Sequence, residues 1–373
     1  MIALGSLSLL IWLLLVFGHG GFWRARERDT VLPPPAPGVW PDVVAVVPAR
    51  DEAAVIGPAI ASLAAQDYPG AFRIVLVDDG STDGTAAVAA AQGGAALTTI
   101  AGAPLPAGWT GKLWAVSQGI ADAGTPRYLW LTDADIAHAP DTLRSLVARA
   151  ESRKLALVSL MAKLRCETLA ERALIPAFVF FFQMLYPFAR VNGRGPGAAA
   201  GGCMLVRRDA LERAGGIAAI RGALIDDCAF GALMKRQGPI WLGLTDRSRS
   251  IRPYDDVESI AAMIARSAYT QLGHSRVKLA GTIVGLAIVY AVPPLLALFA
   301  RGPAQALGLI AWALMAMAFQ PMLRFYRASP LWGPALPGIA AFYAGCTLRS
   351  AWAHERGRGG MWKGRTHAPV GRP

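Results

Sequence analysis

The sequence predicts an α/β protein with a mostly parallel, doubly wound sheet and with membrane helices at its N-terminal and C-terminal ends. Between residues 42 and 275, short runs rich in β-branched residues alternate with stretches of helical length. This alternation is typical of parallel sheets. Apolar stretches lie on both sides of this region, and 54% of the 373 residues are hydrophobic. Such a composition is high for a wholly soluble enzyme.

The charge of the chain favours a membrane over a nucleic acid as its partner. The formal net charge is +12 at pH 7, but no basic helix with interleaved aromatic residues accompanies it. Lys and Arg concentrate instead beside the apolar stretches, as on the cytoplasmic side of a membrane. The four cysteines show no Cys-x-x-Cys spacing. This predicts neither a zinc site nor a disulfide framework and favours a reducing compartment.

Residues 1–23 are expected to form an uncleaved membrane anchor. They are largely apolar, and arginines follow them at positions 24, 26 and 28. A cleaved signal peptide carries its charges before the apolar run, whereas here they follow it. Because positive charges favour the cytoplasmic side, we expect the N-terminus outside and the next domain in the cytoplasm. Residues 24–41 are rich in proline, which predicts a stiff linker.

The predicted α/β domain covers residues 42–275, and most of its strands end in polar residues. The predicted strands are 43–47, 73–77, 97–100, an apolar run from 129 to the acids at 133 and 135, 155–161 and 203–206. Ligands of such sheets bind beyond the carboxyl ends of the strands. Arg50, Asp79 and Asp133 are therefore expected along one edge.

Residues 276–349 are expected to form membrane helices, and residues 350–373 a basic tail. The candidate spans are 279–300, 304–323 and 331–348. With the N-terminal anchor, three spans would place the basic tail outside, against the positive-inside rule. Either one candidate is re-entrant or interfacial, or the N-terminal segment does not cross. The expected location is the inner membrane, multi-pass, with the α/β domain facing the cytoplasm.

A further apolar and aromatic run occupies residues 174–190. It is barely long enough to span a membrane, and Pro176 and Pro187 interrupt it. We expect an interfacial helix that touches the lipid surface, with a buried core helix as the alternative.

Two aspartates stand two residues apart at the end of the fourth predicted strand. On an extended backbone, the side chains of Asp133 and Asp135 leave the same side and can face one ligand. Paired carboxylates suit Mg²⁺ or Mn²⁺, which bridge the phosphate oxygens of a substrate. The alternative is a turn that caps the next helix.

Three motifs in this order resemble the family 2 glycosyltransferases. They are Pro-Ala-Arg-Asp-Glu at 48–52, Val-Asp-Asp-Gly-Ser-Thr-Asp at 77–83 and Thr-Asp-Ala-Asp-Ile at 132–136. The resemblance covers roughly residues 43–275 and implies an inverting enzyme of the GT-A fold that uses a nucleotide-sugar donor. The segments 108–112 and 266–275, with the membrane C-terminus, are similar to a subgroup associated with hopanoid biosynthesis.

The resemblance implies roles for the residues of the donor site. Asp79 would hold the base, with Arg50 and Glu52 lining the same pocket. Asp135 would bind a divalent metal, Mg²⁺ or Mn²⁺, and Asp133 would reach the ribose or the metal. Beside these, Lys112 lies in a Gly-Lys pair before a predicted helix, which suits a phosphate contact; a solvated surface lysine is the alternative.

An inverting transfer also needs a general base near the acceptor hydroxyl. By the resemblance, Asp227 matches the catalytic aspartate, and Asp226 stands beside it in the place of a glutamate. Both acids open a predicted helix, at 228–236, so helix capping is the alternative interpretation. The glycine-rich stretch 195–202 lies where the family often has an acceptor loop; a plain tight connection is the alternative.

The segment 266–275 bears on the acceptor. Processive members of the family carry Gln-x-x-Arg-Trp there, but in this chain His274 and Ser275 replace the last two residues. We therefore expect transfer of a single sugar, from a UDP-sugar, to a hopanoid or polyprenoid lipid hydroxyl. Gln271, His274 and Arg266 are candidates for acceptor or diphosphate contacts. A processive polysaccharide synthase and a non-catalytic membrane scaffold are the alternatives.

Overall fold

The computed structural model describes residues 1–30, 36 and 38–357, which form two compact units. The sheet unit comprises Glu27–Arg165 and Val191–Pro253. The helical unit comprises Met1–Arg26, Cys166–Arg190 and the described residues of Tyr254–Gly360. Segments 166–190 and 254–275, which the sequence assigned to the α/β domain, thus belong to the helical unit. The stretch 31–35, most of the tail and residue 37 lie outside the described residues.

The described residues of the sheet unit form an eight-stranded sheet with the order β3-β2-β1-β4-β7-β6-β8-β5. Its strands are β1 (Val43–Ala49), β2 (Phe72–Asp78), β3 (Leu97–Ala101), β4 (Tyr128–Thr132), β5 (Ile136–His138), β6 (Leu157–Lys163), β7 (Cys203–Arg207) and β8 (Ile240–Ser250). Strands β1 to β4 pair in parallel, as predicted. The expectation of a mostly parallel sheet is only partly correct, because β7 runs antiparallel to both of its neighbours and β5 runs antiparallel to β8. The sheet is mixed.

Fourteen α-helices lie among the described residues. They are α1 (Ile2–Leu13), α2 (Ala53–Ala64), α3 (Thr85–Gly93), α4 (Gly111–Asp122), α5 (Thr142–Arg153), α6 (Leu169–Leu185), α7 (Phe188–Asn192), α8 (Arg208–Arg213), α9 (Asp226–Lys235), α10 (Val257–Gln271), α11 (Arg276–Leu286), α12 (Val292–Phe299), α13 (Pro303–Phe325) and α14 (Trp332–Glu355).

Helices cover both faces of the sheet because its central strands are apolar on both sides. Every residue of β1 is buried, and alternate residues point to opposite faces. Val43, Ala45 and Val47 join a core with residues of α2 and α5. On the other face α4 approaches so closely that a Cβ at Gly119 would lie 2.4 Å from Val46 Cγ1. The doubly wound arrangement follows from this two-sided burial.

The helical unit contains fewer candidate membrane spans than the sequence predicted. Among the described residues, two helical stretches are long and apolar enough to cross a membrane: Arg276–Phe299 and Pro303–Phe325. Helix α14 is long enough but less apolar, and the N-terminal stretch Ile2–Gly18 is shorter. The multi-pass expectation of an anchor and three spans is therefore met in part only. Helix α6 packs inside this unit, with Phe180 fully buried, as the alternative of a core helix expected.

Candidate active site

The ends of three neighbouring strands bring the predicted donor residues to one edge of the sheet. In the register of β1 and β2, Ala49 lies opposite Asp78, so Arg50 and Asp79 follow side by side. The guanidinium of Arg50 donates to the Asp79 carbonyl oxygen, and Nη1 lies 3.8 Å from Asp79 Oδ2. Asp79 is buried, with 2% of its side chain exposed. The structure thus brings Arg50 and Asp79 together.

Four aspartates lie close together near Lys112 and are called here the acidic cluster: Asp133, Asp135, Asp226 and Asp227. The Nζ of Lys112 lies 2.8 Å from Asp133 Oδ1 and 3.0 Å from Asp226 Oδ2. Thr110 caps the start of α4 through a hydrogen bond from the Leu113 amide, which holds Lys112 on the first turn of that helix. The alternative of a solvated surface lysine is wrong, because Lys112 is half-buried between two acids that are 93 residues apart in the chain.

Asp227 lies in the first turn of α9, beside the glycine-rich stretch 195–202. Its Oδ2 accepts from the Gly201 amide at 3.2 Å, and its Oδ1 accepts from the Cys228 amide at 2.7 Å. The N-cap residue is Ile225, which makes no side-chain cap, and both Asp226 and Asp227 lie in the first turn, so a favourable interaction with the helix dipole stays an alternative role for them.

The contact between α9 and the stretch 195–202 depends on glycine. A Cβ at Gly231 would lie 2.3 Å from the Ala198 carbonyl carbon, and one at Gly197 would lie 2.4 Å from the Gly231 oxygen. Backbone meets backbone here, which only glycine permits. This close approach sets the first turn of α9 next to Gly201, and therefore next to Lys112 and Asp133.

Desolvation and neighbouring charges alter the acidities in the cluster. Desolvation raises the pKa of Asp227 to about 6; the charge of Asp226 adds to this rise, and Lys112 and two backbone amides oppose it. Desolvation likewise raises the pKa of Asp133, against the opposing charge of Lys112. For Lys112, desolvation lowers the pKa, but Asp133 and Asp226 outweigh it and the net shift is upward. A carboxylate such as Asp227 is suited to accept a proton near neutral pH.

A residue that sequence reasoning missed completes the cluster. Arg252 follows β8, and its Nε lies 2.6 Å from Asp135 Oδ2 while its Nη2 lies 2.6 Å from Glu52 Oε2. The predicted metal ligand Asp135 is thus paired with a guanidinium. Arg252 is 200 residues from Glu52 in the chain, and no local pattern marks it.

A small pocket with mostly apolar walls opens beside the acids. Lys112, Asp133 and Asp226 line its polar side. Its apolar walls are Pro48, Leu113, Val116, Leu131, Met204, Ile217, Ile220 and Phe230. The pocket thus places the polar atoms of the acids beside an apolar wall.

The predicted acceptor residues lie in the helical unit. Gln271 ends α10, where its Nε2 donates to the Tyr186 hydroxyl at 2.6 Å. His274 stacks on His354 with ring centroids 4.0 Å apart, and Arg266 lies within α10. Their roles in binding an acceptor or a diphosphate stay predictions.

The acids of the sheet unit fit a divalent ion that arrives with a nucleotide. Within the described part of the chain, no group of three or more His, Cys, Asp or Glu side chains is placed to hold a metal. Mg²⁺ and Mn²⁺, however, use one or two carboxylates and complete their shell with substrate phosphates and water. Among these residues, five acids (Glu52, Asp133, Asp135, Asp226 and Asp227) lie near two cations (Lys112 and Arg252), which is an excess of negative charge. Asp133 and Asp135 would hold such an ion.

The fold and the acidic edge define a class of enzyme, the glycosyltransferases of the GT-A fold. A mannosyltransferase from Pyrobaculum calidifontis, solved with GDP-Man and Mn²⁺, is similar over 94% of this chain and 99% of its own, with 20% identity and a TM-score of 0.57. Residues 44–215 match the profile of glycosyl transferase family 2. This match, together with the similar fold, supports a glycosyltransferase, an enzyme that transfers a sugar.

Two further solved structures are similar over a smaller part of the chain. Mannosyl-3-phosphoglycerate synthase from Rubrobacter xylanophilus covers 62% of this chain and 75% of its own, with 19% identity and a TM-score of 0.38. Glucosyl-3-phosphoglycerate synthase from Mycobacterium tuberculosis, with Mn²⁺, UDP-Glc and phosphoglyceric acid, covers 60% and 78%, with 21% identity and a TM-score of 0.38. A sequence search of curated proteins finds no significant match.

Proposed function

We propose that this glycosyltransferase moves one sugar, with inversion, from a UDP-sugar to the hydroxyl of a hopanoid or polyprenoid lipid at the cytoplasmic face of the inner membrane. The observation that carries the proposal is the bridge of Lys112 between Asp133 and Asp226. It joins the predicted donor edge of the sheet to the first turn of α9, where the proposed base lies. A donor and an acceptor bound at these two places would meet at the reacting carbon.

In this proposal, Asp227 takes the proton of the acceptor hydroxyl while the hydroxyl oxygen bonds to the anomeric carbon. The bond from that carbon to the donor phosphate oxygen breaks, and the nucleoside diphosphate leaves with the electron pair. Asp79, Arg50 and Glu52 hold the nucleoside, and Lys112 stabilises the departing diphosphate. A divalent ion on Asp133 and Asp135 would neutralise the charge that develops on the leaving group.

A lipid acceptor is supported by the surface of the helical unit. Most of the stretch Arg276–Phe299 is not buried within the protein, and Val277, Val284 and Leu298 on this stretch are exposed. Leu10 and Phe17 of the N-terminal stretch are exposed as well. Exposed apolar surface of this extent is typical of contact with lipid.

The proposal is tested by incubating the full-length protein with UDP-sugars, GDP-mannose and a polyprenoid or hopanoid lipid extract, with Mn²⁺ or Mg²⁺. We expect mass spectrometry to find a lipid that carries one added sugar, with UDP as the second product. A long polysaccharide product would favour the processive alternative. Transfer to water-soluble acceptors alone would contradict the lipid assignment.

The rate of transfer is expected to rise with pH through an inflection near pH 6. Asp227 has its pKa raised to about 6, and a base must be ionised, so activity falls as pH drops below this value. The measurement is kcat/KM between pH 5 and 8. Because the charge of Asp226 helps to raise this pKa, Asp226→Asn should move the inflection to lower pH. An inflection that stays in place in this variant would contradict the assignment of Asp227.

A further inference from the structure

Arg252 joins two acids that approach it from different strands. Asp135 follows β4 and Glu52 follows β1, and each accepts from a different nitrogen of the one guanidinium at 2.6 Å. The backbone holds this arrangement, because the Ile251 amide donates to the Asp135 carbonyl oxygen at 2.9 Å. Arg252 lies outside the stretch 44–215 that matches the family profile.

The chemistry of this pair conflicts with a metal on Asp135. One carboxylate oxygen of Asp135, Oδ2, is held by a fully charged guanidinium. A divalent ion on the same carboxylate would lie close to this positive charge, so repulsion between the two cations opposes binding of the ion while Arg252 stays in place. The side chain is 30% exposed, which leaves it room to turn.

A nucleoside diphosphate offers the guanidinium a new partner. Two of the five N–H groups of the Arg252 guanidinium donate to Asp135 and Glu52. The planar guanidinium also matches the geometry of phosphate oxygens well. The donor would thus supply phosphate oxygens both to the ion and to the arginine that the ion displaces. Ion and donor then favour each other's binding, a coupling that must act equally in both directions.

We propose that Arg252 is a positioning residue that competes with the divalent ion for Asp135, so that the ion binds tightly only together with the nucleotide diphosphate. The inference rests on the proposed function, since it takes Asp135 as a metal ligand. It adds a mechanism that prevents the ion from binding alone and orders the assembly of the site.

The test measures Mn²⁺ binding to the full-length protein by electron paramagnetic resonance of the free ion, with and without UDP. For the unaltered protein we expect UDP to tighten Mn²⁺ binding at least about ten-fold. In Arg252→Gln, Mn²⁺ should bind about five-fold or more tighter without UDP, because the competing cation is gone, and the gain from UDP should shrink. Arg252→Lys keeps the charge and should stay close to the unaltered protein.

A matched control is Arg144→Gln, whose guanidinium pairs with Asp67 at 3.1 Å on the surface. It should leave Mn²⁺ binding unchanged with and without UDP. The proposal is overturned if Arg252→Gln, or Arg252→Ala where the glutamine variant does not fold, binds Mn²⁺ alone no more tightly than the unaltered protein. If the unaltered protein binds neither Mn²⁺ nor UDP, the proposed function fails instead, so the two failures are distinguishable.

Discussion

Replacing Asp227 by asparagine is expected to lower kcat for sugar transfer about 10²- to 10⁴-fold, the usual contribution of a general base. Asparagine has the same shape and can still accept from the Gly201 or Cys228 amide, which bind the carboxylate in the unaltered protein. The fold and the donor site should therefore persist. The measurement is kcat for single-sugar transfer, together with the affinity for UDP, which should change little.

A surface acid provides the control for this variant. Asp209 lies on α8, pairs with Arg207 and Arg213, and has 55% of its side chain exposed. Asp209→Asn should therefore retain full activity. Asp226→Asn should cost less than Asp227→Asn, because Lys112 occupies one oxygen of Asp226. If Asp227→Asn keeps kcat within ten-fold of the unaltered enzyme, another group takes the acceptor proton.

The positions of the predicted donor residues in the fold could be inferred because their signals are local. A buried apolar run that ends in an acid indicates the carboxyl end of a strand, and parallel strands bring such ends to one edge. Asp79 and Asp133 follow β2 and β4 in this way. The register of β1 with both strands then aligns their ends.

Features that depend on distant contacts could not be predicted. Arg252 is 117 residues from Asp135 and 200 from Glu52, and it looks like any other charged residue after a strand. The direction of β7 was not predicted for a similar reason, because four apolar residues followed by an arginine do not indicate whether a strand runs parallel or antiparallel. Segments 166–190 and 254–275 group with the helical unit and not with the sheet unit, which could not be predicted because sequence motifs do not tell which core a helix joins.

Asp135→Ala is expected to reduce transfer by about three orders of magnitude and to remove its dependence on Mn²⁺. A metal that neutralises a leaving diphosphate contributes several kcal/mol to the transition state, and loss of one of only two carboxylate ligands should abolish tight binding of the ion. The measurements are the initial rate as a function of Mn²⁺ concentration and the affinity for Mn²⁺ in the presence of UDP. Asp246→Ala, on a largely exposed acid that pairs with Lys163 at 2.6 Å, should change neither.

The loss of Asp135 also frees Arg252 from its partner, and the two effects need to be separated. In the double variant Asp135→Ala and Arg252→Gln, a metal role for Asp135 predicts that the rate and the Mn²⁺ affinity stay low, because the ligand is still missing. If the aspartate served only to hold the arginine, adding Arg252→Gln to Asp135→Ala would cause no further change. Mn²⁺ would then still bind to Asp135→Ala in the presence of UDP. Retention of the Mn²⁺ dependence in the single variant would place the ion on other residues, and the competition between Arg252 and the ion for Asp135 would then have no basis.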